Sequence, residues 1–324
     1  MKINLRAEDL NLFPDAEMVG LCDEIDLSFN DIVELPSQRP RGVLISSLNL
    51  SYNKIEIIPD WLCELSSLHT LVLTGNPLDE FPPELVEAIC LKHLVIDKVD
   101  LDTVPSIPYD LEWRSLSLCG NDIREIPEKF FSHLPYLEDL KLSGNRIPAF
   151  PNDLCQAGKL RTLDISYSGL KEFPPVGSTF PSLVKANLAN NGLKGLQGDF
   201  PVLKDLNLSG NRFDRFDGHL GEFPALEHLD LSACGLETVP DQIRNLSRLV
   251  SLNLAANSLT ELPAFVFELP ALEELFIGVN QIQSLPRIDP RKVPPPNLRI
   301  FLSGNPAEPG KWDAPESFRN RIIQ

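Results

Sequence analysis

The chain holds 324 residues and a net charge of −17, from 29 Lys and Arg against 46 Asp and Glu. So acidic a field disfavours nucleic-acid backbones and anionic lipid surfaces, whose affinity for proteins comes mainly from Lys and Arg. No stretch approaches the roughly 20 apolar residues of a membrane span, and the six cysteines at 22, 63, 90, 119, 155 and 234 are scattered, not gathered at either end.

A pattern is plainest in residues 249–263, LVSLNLAANSLTELP, where Leu249, Leu252, Leu254, Asn257, Leu259 and Leu262 fill slots 1, 4, 6, 9, 11 and 14 of a unit and Pro263 follows. Leu252 and Leu254 alternate with Ser251, Asn253 and Ala255, the period of a short strand with one face buried. Asn257 ends the strand, where a buried amide satisfies backbone groups that would otherwise lose water without a partner. The same template fits with slot 9 at residues 8, 30, 53, 76, 99, 121, 145, 168, 191, 211, 234, 257, 280 and 305. Eight of the thirteen intervals are 23 residues, ten of the slots hold Asn, and eleven Pro follow slot 14 directly.

In chain order, Lys2 to Pro14 read as a worn first copy, with Glu8 in the Asn slot, and its outward Lys2, Asn4 and Arg6 discourage edge-to-edge pairing. A monomer is therefore expected, with an edge-to-edge dimer as the alternative. Three regular copies follow through residue 82, each leading through Pro36, Pro59 or Pro82 into an outer segment too short for more than one turn of α or 3₁₀ helix. Val99 then breaks the row of amides; Ser168 and Cys234 are milder substitutions because each can still donate a hydrogen bond. Near Gly192, Gly195 and Gly198 the next Asn arrives after only 20 residues, which predicts an extended outer segment. After Gly221 the rhythm returns, to be interrupted by the Pro-rich residues 287–297. Asp313, Pro315, Phe318, Ile322 and Ile323 predict a short amphipathic capping helix over 313–324.

A period of 20 to 29 headed by Leu-x-x-Leu-x-Leu-x-x-Asn is the signature of a stacked solenoid, and over its full length the chain resembles the leucine-rich-repeat family in its 23-residue variety. The resemblance implies an α/β solenoid: a horseshoe with a parallel concave β-sheet, short α or 3₁₀ segments on the convex side, and about 14 repeats in a single domain over 1–324. Extracellular members commonly carry flanking disulfide clusters that this chain lacks. Together with an N-terminus, MKINLRAEDLNLF, without an unbroken apolar run, this favours a reducing, cytoplasmic setting, with secretion lacking a cleaved signal as the alternative. Asn49, Asn207 and Asn245 stand in Asn-x-Ser sequons that carry little weight in such a setting.

Slots 2, 3, 5, 7 and 8 of each strand face away from the core, so the concave surface can be read as columns. Slot 8 sets Phe29 beside Tyr52 and includes Tyr167; slot 5 sets Phe276 beside Phe301, and strands about 4.8 Å apart should bring those rings into contact. Presented aromatics are candidate anchors for a partner, although Phe276 and Phe301 could equally be covered by the Pro-rich loop or the terminal helix. Asp26, Asp164, Asp230, Lys141 and Arg161 are candidate charged contacts that would set approach and register.

Catalytic patterns are thin. Asp205, His228 and Ser251 fall in slot 3 of successive strands and mimic a hydrolase triad by residue type, but a continuous strand ladder leaves no free N–H donors for an oxyanion. His69 and His93, with Asp97 nearby, lack a convincing third and fourth ligand. Outward Cys119, near Arg114, Lys141 and Arg161, has no His to serve as base. The expected function is accordingly a scaffold without enzymatic activity, metal or cofactor. It binds a protein partner, one with a basic surface by preference, and neither nucleic acid nor membrane. The alternative is the substrate-recognition part of a larger enzyme or bacterial effector whose catalytic portion lies elsewhere.

Overall fold

The computed structural model describes residues 1–323 except 16, 17, 19, 21, 151, 175, 176, 214–222, 290, 292, 309 and 311. It contains two compact units, Met1–Leu160 and Arg161–Gln324. In the first, strands β1 (Lys2–Asn4), β2 (Glu24–Asp26), β3 (Ser47–Asn49), β4 (Thr70–Val72), β5 (His93–Val95), β6 (Ser115–Ser117) and β7 (Asp139–Lys141) pair in parallel in chain order. Every strand covers slots 3 to 5, and the register places slot 4 against slot 4: Ile3, Ile25, Leu48, Leu71, Leu94, Leu116 and Leu140 form one row.

The second unit repeats the plan with β8 (Thr162–Asp164), β9 (Lys185–Asn187), β10 (Asp205–Asn207), β11 (His228–Asp230), β12 (Ser251–Asn253), β13 (Glu274–Phe276), β14 (Arg299–Phe301) and β15 (Ile322–Ile323), again parallel and consecutive. Leu252 and Leu254 are 0% exposed while Asn253 between them is half-buried, so the predicted alternation of inward and outward side chains holds.

Outer segments are single turns, as the spacing predicts. They are α1 (Asp60–Cys63) and 3₁₀ turns at Pro83–Glu87, Phe131–His133 and Asn152–Gln156 in the first unit, with Asp241–Asn245 and Ala264–Glu268 in the second. Proline precedes several of them because its fixed φ suits a helix start. The Gly-rich residues 192–198 hold no helix, and a row of buried phenylalanines fills the layer there: Phe173, Phe180, Phe200 and Phe223 follow one another at ring separations of 5.8, 5.3 and 5.5 Å.

At the C-terminal side the predicted helix over 313–324 is shorter. Helix α2 spans Glu316–Arg319, and Ile322 and Ile323 instead extend the sheet as β15, where β-branched side chains fit better; Gln324 lies outside the described residues. Phe318 is buried on Trp312, which itself lies 5.1 Å from Phe267 and donates its indole N–H to the Pro286 carbonyl at 2.7 Å.

One regularity runs through every repeat. Slot 8 is left-handed in all fourteen, with φ from 53° at Asn190 to 77° at Gly304, because the chain must reverse before the slot 9 amide can turn inward. An L-residue there costs roughly 1–2 kcal/mol that glycine avoids. Ala256, exposed at φ 55°, is the plainest test. Ala256→Gly should raise stability by about 0.5–1 kcal/mol, read as a higher urea midpoint at unchanged slope; a lower midpoint would show that chain entropy outweighs the strain.

Candidate binding surface

The slot 9 amides belong to the scaffold. Each one donates to the slot 6 carbonyl of its own repeat and of the repeat before, and accepts from a backbone N–H of that earlier repeat. Asn121, for example, donates to Leu118 at 2.9 Å and to Ile96 at 2.8 Å and accepts from Val99 N–H at 3.0 Å. Val99, buried and apolar, supplies none of these bonds. The two milder substitutions behave as their chemistry predicts: Ser168 donates to the Ser166 carbonyl at 3.2 Å and the Cys234 thiol to the Leu208 carbonyl at 3.3 Å. Burial pushes the Cys234 thiol up to about 12, and burial followed by Glu84 does the same for Cys63. Neither is a thiolate near neutral pH.

A second set of bonds, missed in the sequence, occupies the expected charged contacts. In each of Asp26, Asp164 and Asp230 one carboxylate oxygen accepts both the N–H and the hydroxyl of the serine two residues on, at 2.9 and 2.6, 3.0 and 2.7, and 2.8 and 2.6 Å. Asn49 holds Ser51 in the same way. The other oxygens of Asp164 and Asp230 accept from Asn187 at 3.1 Å and Asn253 at 3.0 Å. The signal was the Asp/Asn-x-Ser string, an Asx turn written in five of the fourteen repeats, at Asp26, Asn49, Asp164, Asn207 and Asp230. These carboxylates are therefore largely spent on closing the turn, whereas Lys141 at the end of β7, and Arg161 and Tyr167 on either side of β8, are exposed.

The aromatics assemble as the columns imply. In the first unit the Phe29 and Tyr52 rings stack at 4.5 Å with 28° between planes, 44% and 39% exposed, and the Arg6 guanidinium lies 4.3 Å over Phe29. The Tyr52 ring leans over Gly75: a Cβ at Gly75 would come within 2.7 Å of it. In the second unit Phe276 and Phe301 stack at 4.5 Å, nearly parallel, and both are half-buried. Their flanks are the Glu274–Arg299 ion pair, Val279 at 65% exposure, and Ile323, which neighbours Phe301 across the sheet.

The triad-like row does not assemble. Asp205, His228 and Ser251 are neighbours in register, but His228 lies 3.9 Å from Asp205, too far for a hydrogen bond, and Asp205 also attracts Lys185 at 3.5 Å. The N–H groups of His228 and Ser251 are bonded to the carbonyls of Lys204 and Glu227. These backbone donors are thus committed to the strand ladder. Among the described residues no three His, Cys, Asp or Glu are placed to hold a metal, and no helix is long and apolar enough to cross a membrane.

A family model described as "Leucine rich repeat" matches residues 22–78 and 113–170, and a second of the same description matches 225–246. Among curated relatives, Tsukushi of Gallus gallus is 35% identical over 107 residues, 30% of this chain and 28% of that protein. An adenylate cyclase of Podospora anserina is 36% identical over 87 residues, 26% of this chain and 4% of that protein. The chain thus spans less than a third of the length of these relatives. Among solved structures, a leucine-rich-repeat protein of Leptospira interrogans superposes with a TM-score of 0.78 at 27% identity, covering 94% of this chain and 78% of that one.

Proposed function

The chain is a leucine-rich-repeat protein, and from that premise we propose that it is a non-catalytic scaffold that binds a protein partner on the open face of its sheet. Such repeats serve in general as protein-interaction scaffolds. The observation that carries the reading is the exposed Phe29–Tyr52 stack, a pre-ordered aromatic anchor just past β2 and β3. Phe276 with Phe301 is the second anchor, and Tyr167, Lys141 and Arg161 add contacts along the face. Asp26, Asp164 and Asp230 contribute charge to the approach more than direct bonds. The net charge of −17 favours a partner with a basic surface. We place the protein in a reducing, cytoplasmic compartment, which its six free cysteines support, and take 1–324 as one domain that acts as a monomer.

Affinity capture from the native cell tests this. Phe29→Ala/Tyr52→Ala and Phe276→Ala/Phe301→Ala should each weaken retention of the partner by about thirtyfold or more, the scale of losing one hot spot of about 2 kcal/mol. Retention unchanged by both would remove the aromatic anchors. The Podospora anserina match favours a second reading, in which these repeats are the recognition part of a larger enzyme; a transcript whose reading frame continues past Gln324 into a catalytic domain would establish it.

A further inference from the structure

Past the slot 9 amide, each repeat of the first unit turns away from the strand face along a flank. There slots 11 and 14 point inward and slots 12 and 13 outward: Ile32, Leu35, Ile55 and Ile58 are buried, while Leu12, Val33 and Ile57 are 63%, 53% and 77% exposed. From the fourth repeat onward slots 12 and 13 hold no Leu, Ile, Val or aromatic residue. Neighbouring exposed aliphatic side chains ringed by polar groups mark a contact surface.

The segments that carry them lie side by side, since the Asp31 N–H donates to the Leu10 carbonyl at 2.8 Å and the Lys54 N–H to the Ile32 carbonyl at 2.9 Å. The same slot therefore recurs about every 5 Å along the flank. Slot 13 reads Leu12, Glu34, Ile57, Glu80, and slot 12 adds Glu56 and Asp79 beyond Val33, all of them exposed. No Lys or Arg occupies either slot in these four repeats, and the nearby Lys54 is held by Asp31 at 2.8 Å. Beside Leu12 and Glu34 lies a recess of about 270 Å³, floored by the buried Phe13 and Leu35 and edged by Pro36 and Ser37. The Trp61 indole N–H fixes that edge by donating to the Pro36 carbonyl at 2.6 Å.

We propose that this flank, separate from the strand face, docks a basic amphipathic helix of a protein partner, laid along the stack with one apolar side chain in the recess. An α-helix rises about 1.5 Å per residue, so residues i+4, i+7 and i+11 stand about 6, 10 and 16 Å beyond residue i. Those steps match the succession Leu12, Glu34, Ile57, Glu80. Apolar residues at i and i+7 meet Leu12 and Ile57, and Lys or Arg at i+4 and i+11 meet Glu34 and Glu80. An extended strand repeats a face about every 7 Å and falls out of step by the third repeat. An anionic lipid surface is repelled by the carboxylates.

The full-length protein is titrated with a capped helical peptide, mostly Ala and Gln, that carries Leu at i and i+7 and Arg at i+4 and i+11, and with a scrambled peptide of the same composition. Methyl signals of Leu12, Val33 and Ile57 should move with the first peptide, and those of Val279 and Ile323 in the second unit should not. The scrambled peptide should bind at least about tenfold more weakly. Ile57→Ala should weaken binding by about five- to thirtyfold, the scale of withdrawing an isoleucine from an apolar contact. Glu34→Gln/Glu80→Gln should weaken it by about three- to tenfold and flatten its dependence on salt. Both variants change exposed side chains and leave the core intact. Equal binding of the scrambled peptide, affinity within twofold of wild type in either variant, or no binding of either peptide overturns the proposal. Shifts confined to Val279 and Ile323 overturn it too, while leaving the strand-face reading standing. Leu12 and Ile57 signals that move with protein concentration alone would overturn it by assigning the flank to a second copy of the chain.

Discussion

Phe200→Ala is expected to cost the second unit about 3–5 kcal/mol, the range for removing a fully buried aromatic ring. Phe200 is 1% exposed and lies between Phe180, 5.3 Å away and 4° from parallel, and Phe223 at 5.5 Å. The outer layer has no helix at this point, since residues 192–198 hold none, so the ring row, with Leu193 and Leu196, fills the space a helical turn fills elsewhere. Truncation therefore opens a cavity that no neighbouring side chain is long enough to close. The urea midpoint should fall steeply, while Ile57→Ala, at an exposed apolar residue of the first unit, should stay within about 0.5 kcal/mol of wild type. Phe180→Ala combined with Phe200→Ala should cost less than the sum, because the stacking between the two rings, worth about 0.5–1.5 kcal/mol, is lost only once. A loss under about 1 kcal/mol for Phe200→Ala would mean that the segment collapses freely, and that the phenylalanines do not hold it.

What could be read beforehand followed from periodicity. Leu252 inward and Asn253 outward is a statement about a strand's period of two, and register then follows because only slot 4 against slot 4 buries every leucine. The contact between Phe276 and Phe301 came from the same arithmetic and stands at 4.5 Å. Backbone conformation was less visible. Five glycines in slot 8, Gly75, Gly120, Gly144, Gly210 and Gly304, announced a left-handed turn, but Phe29, Tyr52 and Val279 in the same slot concealed it, since such residues ordinarily avoid φ near +55°. Hydrogen-bond direction was invisible as well. Asp26 reads as a free charge in a column of outward residues, and only geometry shows its oxygen committed to Ser28. At the far end, Phe318 in the core fitted a helical period, yet two residues of that pattern form a strand, because a sheet edge beside Ile300 and Phe301 competes for them.

The amide row gives the second large effect. Asn53 donates to the carbonyls of Leu27 at 3.0 Å and Leu50 at 2.9 Å and accepts the Ile32 N–H at 3.1 Å, and counting all three as orphans on its removal would overstate the loss. Leu27 also receives a bond from Asn30, and Leu50 one from Asn76, so each carbonyl keeps a partner. The Ile32 N–H, buried, does not. Asn53→Ala should therefore cost about 2–4 kcal/mol, of which one stranded N–H supplies about 1–3 and the small cavity the rest. Val99 shows why this is survivable: four of the fourteen repeats already lack the amide, and at Val99 a buried apolar side chain takes its place. Asn53→Val should accordingly be milder than Asn53→Ala, since it fills the volume and leaves only the polar loss. Hydrogen exchange separates these contributions. Protection at Ile32 should drop in both variants, whereas Val99 and Leu101, whose N–H groups are held by Asn121, should keep theirs, because a repeat depends on its immediate neighbours. Undiminished protection at Ile32 in Asn53→Ala would mean that the strand ladder alone shields that amide, and the row of asparagines would lose its structural role.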